Sequence, residues 1–226
     1  KYWNRVYDAP NVESFIFRLK PLLLDLFINS KKKLKVLDYG CGEGSNIHYL
    51  SKKHGYDGYG VDISESSIKN CQKKINKKKF KPIDFDVDQN DNFFNKKFDL
   101  IISIQVLYYL NDIDLKNRLI SLNKMLKPGG YVFFTMMGTK NQYYKYFCDK
   151  RKSNDGLYKV DLSLDKNYKK RQKQSIYYHY INFTKSEKDL KNKFRLFKPL
   201  KIGYYDGSLT STKDSGHHYT FLGKKK

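Results

Sequence analysis

The chain has 226 residues and a formal net charge of +22, from 45 Lys and Arg against 23 Asp and Glu, and it is long enough to bury the core of one large domain. Its three cysteines lie far apart without metal-type spacing, which argues against a disulfide framework and a zinc site. No apolar run reaches the roughly 18 residues of a membrane span and no signal peptide opens the sequence, so we expect a soluble protein of a reducing bacterial cytoplasm, without a metal.

The first half of the chain alternates short apolar runs with amphipathic ones. LKVLDYG, at residues 34–40, is typical of a buried parallel strand that ends on a glycine. SNIHYLSKKHG is predicted to be a helix with Ser45 as its N-cap and Gly55 as its stop. YDGYGVDIS then predicts a second strand that ends at Asp62.

The alternation continues through three more strands. KPIDFDVD predicts the third, FDLIISI a fourth that is apolar nearly throughout and hence central, and YVFFTMM a fifth. Between the last two, a helical stripe is ended by Lys127-Pro128-Gly129-Gly130, because proline cannot extend the hydrogen-bond ladder. The leucines of this stripe are Leu115, Leu119, Leu122 and Leu126. This alternation predicts an α/β fold, a doubly wound parallel sheet with helices on both faces.

Beyond the fifth strand the periodicity weakens. Residues 138–182 are rich in lysine and tyrosine and are predicted to form a lid or insertion over a site. The helix KSEKDLKNKF and two strand-like runs, FKPLKIGYY and HHYTFLGKK, complete the chain, and these two strands are expected to pair antiparallel at one sheet edge. We expect one domain over residues 1–226, with residues 1–30 as an N-terminal cap segment.

Three glycines at every second position, Gly40, Gly42 and Gly44, form the first strand-to-helix turn. In an open α/β sheet, ligands bind beyond the carboxyl ends of the strands, and glycine lets a cofactor rest on the backbone. Asp62 ends the second strand, where a carboxylate can accept hydrogen bonds from both hydroxyls of a ribose. Asp86 would end the third strand, within reach of an adenine amino group, although two neighbouring aspartates are equally available.

Taken in this order, the motifs resemble those of class I S-adenosylmethionine-dependent methyltransferases over roughly residues 34 to 134. VLDYGCGEG resembles the family's first motif, GVDIS its acidic second, DFDVDQND its third, FDLIISIQVLYYL its fourth and LKPGGYVFF its fifth. The resemblance implies a Rossmann-like seven-stranded sheet whose last strand is antiparallel, with S-adenosylmethionine as cofactor and S-adenosylhomocysteine as product. A nicotinamide dehydrogenase is the nearest rival, but its glycine fingerprint would require glycine or alanine where Ser45 stands.

The resemblance also assigns roles to individual residues. Asp38 and the three glycines would surround the methionine portion of the cofactor, Asp62 with Ile63 would lie at the ribose, and Asp86 with the Val87 backbone would flank adenine. The methyl-donating end would be lined by the residues at and after the end of the fourth strand: Ser103, Ile104 and Gln105. The N-terminal segment KYWNRVYDAP is similar to one that folds over the cofactor, where three side chains would close the pocket: Trp3, Arg5 and Tyr7.

The catalytic residues depend on the acceptor. Methyl transfer from a sulfonium is an in-line displacement, in which a hydroxyl acceptor benefits from a base and a neutral amine needs none. His217 and His218 begin the last strand, and since successive strand residues point to opposite faces, at most one is expected to enter the site. Tyr109, which follows the fourth strand with Tyr108, and His179 in the insertion are the other candidates. Ordinary packing or a surface position is the alternative role for each of these side chains.

Signatures of nucleic-acid methyltransferases are missing after the fourth strand, where the sequence reads SIQVLYY. No Asn/Asp-Pro-Pro-aromatic motif and no Pro-Cys stands there, which favours a small-molecule acceptor over RNA or DNA. Basic residues of the insertion could receive an anionic acceptor, such as a phosphorylated or nucleotide-linked sugar: Lys140, Lys145, Lys150 and Arg151. We therefore expect methylation of oxygen, or with less support nitrogen, in a small polar metabolite.

The chain as a whole is similar to methyltransferases of bacterial surface-polysaccharide pathways, one subset of which methylates the phosphoramidate decoration of capsular sugars. Two alternatives stay open. The protein could be an RNA methyltransferase that uses a basic face, or a non-catalytic partner that binds S-adenosylmethionine and has a degraded acceptor site. The sequence does not indicate an oligomeric state.

Overall fold

A computed structural model of the protein describes residues 32–83, 93–165, 178–206 and 216–226. The main sheet has seven strands: β1 Lys35–Tyr39, β2 Asp57–Asp62, β3 Phe80–Pro82, β4 Phe98–Ser103, β5 Leu126–Met137, β9 Phe197–Tyr205 and β10 His218–Lys225. A second, antiparallel sheet is formed by β6 Cys148–Lys152, β7 Tyr158–Asp161 and β8 Tyr178–Ile181. The helices are α1 Ser45–His54, α2 Glu65–Lys74, α3 Asp112–Met125, α4 Gln142–Tyr146 and α5 Glu187–Lys193.

The main sheet has the order β3-β2-β1-β4-β5-β10-β9. The first five of these strands are parallel, and β10 runs antiparallel between β5 and β9. The strand order reverses between β1 and β4, so the carboxyl ends of these neighbours flank the place where open α/β sheets bind ligands. The predicted doubly wound sheet, its central fourth strand and its antiparallel last strand are confirmed.

Helices cover both faces of this sheet because its central strands β1 and β4 are buried on both sides. On one face, α1 and α2 contribute Ile47 and Cys71 to a buried cluster with Ile102 of β4. On the other face, α3 and α5 contribute Leu119 and Leu190 to the larger buried cluster. Each such side chain contributes about 1.5–3 kcal/mol when fully buried, so the two clusters hold the sheet rigid beneath the loops at its carboxyl edge.

Three expectations about element boundaries are wrong. Ser45 is the first residue of α1 and not its cap, since Gly44 takes the N-cap position in the left-handed region without a side-chain hydrogen bond. The third strand starts at Phe80, one residue earlier than KPIDFDVD predicts, and residues 84–88 of that segment are outside the described ranges, so their assignment stays a prediction. Leu126 ends the predicted helical stripe but starts β5, where the Lys127–Gly130 segment forms a bulge against β4.

Other boundaries agree with the sequence. Gly55 stops α1 in the left-handed region, Ser186 caps α5 by accepting a hydrogen bond from the Asp189 N–H, and β9 pairs antiparallel with β10. Residues 138–182 contain α4 and the small sheet, and their role as a lid stays a prediction. None of the helices in the described ranges is long and apolar enough to cross a membrane.

Candidate active site

The glycine turn after β1 is shaped as much by the protein's own packing as by any ligand. Gly40, Gly42 and Gly44 have φ angles of 78°, 52° and 76°, a region that side chains disfavour. The Gly40 N–H donates to the Val61 carbonyl at 2.8 Å. A Cβ atom on Gly40 would lie 2.3 Å from Cγ2 of Val106, which follows β4. The turn is therefore closed against the loop of the neighbouring strand.

Two glycine-to-alanine changes separate the cost of the left-handed backbone from the cost of the close contact with Val106. Gly55 has a φ of 66° and open space where a Cβ would stand, so Gly55→Ala should cost about 1 kcal/mol through the backbone alone. Gly40→Ala adds the overlap with Val106 and is expected to cost about 3 kcal/mol in total. Urea unfolding measures both values. Equal losses for the two variants would contradict this account of Gly40.

Asp62 joins the end of β2 to the glycine turn. Its carboxylate, which is buried, accepts a hydrogen bond from the Gly42 N–H at 2.7 Å and another from the Ser64 N–H at 2.8 Å. The next residue, Ile63, is 46% exposed although it is a large apolar side chain. The site thus places a fixed carboxylate and an exposed apolar surface side by side at the carboxyl end of β2.

Asp38 lies in the interior at the start of the turn and is fully buried. Asn46 of α1 donates from Nδ2 to its Oδ2 at 3.0 Å. Sequence reasoning missed Asn46, whose only signal is a polar side chain in the first turn of α1. Burial, the hydrogen bond with Cys71 and the negative charges of Asp38 and Asp62 all raise the pKa of Cys41. The turn is therefore a region of negative potential, which suits a cationic ligand.

The three residues predicted at the end of β4 behave differently. The Ser103 hydroxyl is buried and donates to the Tyr39 carbonyl at 2.9 Å, and Ile104 is also buried. Gln105 has a φ of 60°, rare for a residue with a side chain, and its N–H donates to Thr135 Oγ1 at 2.8 Å. Its Nε2 donates to the Tyr205 hydroxyl at 3.0 Å. Of the three, Gln105 is the one whose side chain reaches the last strands.

His218 belongs to a polar aromatic cluster near the carboxyl end of β4. Its ring stacks on Tyr205 at 5.2 Å and lies 5.7 Å from Tyr108, which contacts Tyr109 at 4.6 Å. Its Nδ1 lies 2.6 Å from the Gly216 carbonyl. Because a carbonyl only accepts, Nδ1 carries the proton and Nε2 holds the lone pair of the neutral ring. Burial raises the pKa of Tyr205 to about 12 and that of Tyr108 well above its usual value.

His217 points away from this cluster. Its Nδ1 lies 3.0 Å from Asp206 Oδ1, and its ring packs 5.0 Å from Tyr204 and 4.9 Å from Tyr219. Its side chain is 1% exposed, and burial lowers its pKa although Asp206 opposes that effect. The two histidines thus occupy different surroundings, as the alternation of side chains along a strand requires.

His179 lies in the small sheet, opposite Val160 of β7, and burial lowers its pKa. The remaining predicted site residues, Trp3, Arg5, Tyr7, Asp86 and Val87, lie outside the described ranges, and their roles stay predictions. Cys41, Cys71 and Cys148 are free thiols, and no group of three metal-ligating side chains occurs within the part of the chain that the structure describes.

Asn182, which sequence reasoning also missed, ties the insertion to the helical turn that carries Tyr108 and Tyr109. Its N–H donates to the Tyr108 carbonyl at 2.7 Å, and its Nδ2 donates to Asp112 at 2.9 Å and to the Leu110 carbonyl at 3.2 Å. Lys193 donates from Nζ to Asn182 Oδ1 at 2.6 Å. The fully buried amide thus positions the tyrosine turn from one side.

Removing one partner of this hydrogen-bond network should lower stability more, per side chain replaced, than replacing both partners by apolar side chains. Asn182→Leu leaves Lys193, whose pKa burial already lowers, without its amide acceptor, and we expect a loss of about 2–4 kcal/mol in urea unfolding. The double variant Asn182→Leu/Lys193→Met should lose less than the sum of the single changes, since both partners are then apolar. Strict additivity would show that the two side chains do not act together.

The chain is similar to known proteins in sequence and in structure. A family model described as a methyltransferase domain matches residues 30–193. Ubiquinone biosynthesis O-methyltransferase of Pelagibacter ubique is 30% identical over 116 residues, 51% of this chain and 47% of that protein. Cyclopropane-fatty-acyl-phospholipid synthase of Escherichia coli is 26% identical over 140 residues, 62% of this chain and 34% of that protein. The chain spans about a third to a half of these curated relatives.

Solved structures share the fold at low identity. PH0226 from Pyrococcus horikoshii superposes with a TM-score of 0.63 at 20% identity, over 100% of this chain and 99% of that one. The N-methyltransferase NodS from Bradyrhizobium japonicum, solved in complex with S-adenosylhomocysteine, gives a TM-score of 0.62 at 16% identity, over 99% and 96% of the two chains.

Proposed function

Because this chain belongs to the methyltransferase-domain family, we propose that it transfers a methyl group from S-adenosylmethionine to an oxygen of a small polar metabolite. The observation that carries the proposal is the Asp62 carboxylate, held by the Gly42 and Ser64 N–H groups beside the glycine turn. In this position it can accept hydrogen bonds from ribose hydroxyls.

The charges of the turn fit the same cofactor. S-adenosylmethionine supplies an electrophilic methyl group on a positively charged sulfur atom, next to an ammonium group. The pKa of Cys41 is raised by burial and, to a smaller extent, by the negative charges of Asp38 and Asp62, which lie at the ends of β1 and β2. The exposed apolar side chain of Ile63 offers a surface for the adenosine moiety. Donor recognition is thus assigned to the ends of β1 and β2.

The acceptor is assigned to the carboxyl end of β4 and the start of β10, where His218 serves as the general base. With its proton held on Nδ1 by the Gly216 carbonyl, Nε2 can take the proton of an attacking hydroxyl. The surrounding side chains, Tyr108, Tyr205 and Gln105, offer hydroxyl and amide groups to a polar molecule. His217, paired with Asp206 in different surroundings, is assigned a structural role.

The finer proposal is a phosphorylated or nucleotide-linked sugar of a bacterial surface polysaccharide, including the phosphoramidate decoration of a capsule. Lys140 Nζ lies 6.0 Å from the centre of the Tyr204 ring, which packs on His217, and the pKa of His217 is lowered by burial and then by the positive charges of Lys140 and Lys145. An anionic group of the acceptor would be attracted to these lysines.

Incubation with cofactor carrying a labelled methyl group and a fractionated bacterial extract tests this function. We expect the label to enter small anionic metabolites that are retained on an anion exchanger and resist nuclease. Label in RNA would favour the RNA methyltransferase alternative. Cofactor binding without transfer to any fraction would favour a non-catalytic binding partner.

A further inference from the structure

The fold gathers basic side chains at the edge of the main sheet opposite the cofactor turn, which we call the amino edge. The parallel strands begin there and the antiparallel β10 ends there. Lys33 and Lys35 lie at the start of β1. Lys96 and Lys97 precede β4, and Lys127 is the second residue of β5. The other members beside the strands are Lys77, Lys78, Lys79, Arg195, Lys198, Lys224, Lys225 and Lys226.

Acidic residues have the opposite distribution, with few at the amino edge and more at the carboxyl edge. In the described stretches that form the amino edge, the acids are Asp57 and Asp99, and each is engaged by a lysine: Lys79 at 2.6 Å and Lys127 at 2.7 Å. The carboxyl edge, by contrast, carries a series of acids: Asp38, Glu43, Asp62, Glu65, Asp112 and Asp206. Within the described residues, the strand ends at the cofactor turn are therefore acidic and the amino edge is basic.

Helix stabilisation explains only part of this pattern. Basic residues in the last turn of a helix favour its dipole, and this accounts for Lys52, Lys53 and Lys124, which also lie toward the amino edge. Strands have only a small net dipole and give no such reason for lysines at the ends of β1, β4, β9 and β10. The lysines at these strand ends are exposed or half-buried, and they occur along the whole width of the main sheet, from β3 to β9.

We propose that the amino edge is a docking surface for the anionic headgroups of a lipid bilayer. Lysine ammonium groups are compact, hydrated charges that suit a diffuse negative surface, whereas phosphate clamps on nucleic acid favour arginine. Tyr131 and Leu200, 40% and 44% exposed, lie on strands that reach this edge and can enter the headgroup region with the lysine stems.

An RNA strand fits the amino edge less well. Single-stranded nucleic acid binds where basic and aromatic side chains alternate, because the bases stack on the rings. Most of the exposed tyrosines of the described chain lie elsewhere, in the insertion and near the carboxyl end of β9: Tyr146, Tyr178, Tyr180 and Tyr204. Docking through the amino edge also leaves the cofactor edge facing the solution, where a soluble acceptor would reach it.

Co-sedimentation with lipid vesicles tests the surface without any methyl acceptor. The intact chain should bind vesicles of phosphatidylcholine with about one third phosphatidylglycerol, leave pure phosphatidylcholine vesicles unbound, and be released in about 1 M NaCl, where the Debye length falls to about 3 Å. Neutralising four exposed lysines of the edge should weaken binding at least about 100-fold. The variant is Lys33→Gln/Lys78→Gln/Lys97→Gln/Lys198→Gln.

A matched control removes the same charge from other exposed lysines: Lys69→Gln/Lys116→Gln/Lys145→Gln/Lys188→Gln. It should bind vesicles nearly as the parent does, and vesicle-bound parent should keep its affinity for S-adenosylmethionine. Equal losses in both variants, or no binding to anionic vesicles at low salt, would overturn the proposal. Binding of a labelled oligouridylate at the edge in preference to vesicles would overturn it in favour of RNA.

Discussion

Asp62→Ala is expected to weaken S-adenosylmethionine binding about 100-fold or more, measured by isothermal titration calorimetry. The change removes the carboxylate proposed to accept from two ribose hydroxyls, and a hydrogen bond to a charged group contributes about 1.5–3 kcal/mol. It also releases the Gly42 and Ser64 N–H groups, so the turn that receives the cofactor loses its anchor. Both effects lower affinity in the same direction.

The other end of the same strand provides the control. Asp57 is half-buried and pairs with Lys79 at 2.6 Å, remote from the turn along β2. Asp57→Ala should cost no more than about 1 kcal/mol in stability, as partly exposed ion pairs do, and should leave cofactor affinity unchanged. Urea unfolding of both variants separates lost binding from lost folding. Unchanged affinity in folded Asp62→Ala would remove the basis for the cofactor assignment.

His218→Ala is expected to lower the rate of methyl transfer about 100-fold to 10,000-fold while sparing cofactor affinity. The imidazole is proposed to take the proton of the acceptor hydroxyl through Nε2, and general-base catalysis contributes on that order. The measurement is transfer of labelled methyl groups to the acceptor fraction of a bacterial extract, with calorimetry for the cofactor. His218→Gln, which keeps the approximate volume and removes the base, should be equally slow.

His217→Ala is the matched control on the neighbouring residue. The ring packs between Tyr204 and Tyr219 and pairs with Asp206, so its removal should lower stability while the folded variant still transfers methyl groups. A larger loss of rate in folded His217→Ala than in His218→Ala would show that His217 is the general base and His218 the structural residue. Normal rates in both variants would show that the acceptor needs neither histidine as a base.

Much of the fold followed from local patterns. Strands β1, β2 and β4 are short apolar runs bounded by glycine, charged or polar residues, and the helices between them carry a distinct apolar face, so period and length identify them. The hairpin of β9 and β10 was predictable for the same reason. Gly40 and Asp62 were predictable as site residues because a glycine turn and a strand-ending acid have a specific chemical use.

Other features depended on contacts that no local pattern encodes. Asn46 and Asn182 look like ordinary polar residues in the sequence, yet both are buried because partners distant in sequence, Asp38 and Lys193 among them, satisfy their hydrogen bonds. The Lys127–Gly130 segment has the composition of a helix stop, but Leu126 and Tyr131 on either side of it pair with β4, so it becomes a bulge within a strand. Long-range pairing overrides local propensity in such places.

The order of residues along the chain by itself determined the alternation of strands and helices, the glycine turn and the acid on the next strand, since each depends on neighbours within a few positions. Tertiary structure decided which of His217 and His218 meets Tyr108 and Tyr205, because strand pairing sets the face that each side chain occupies. It also decided that scattered lysines converge on one edge, since parallel strands bring their starting residues together however far apart they lie in sequence.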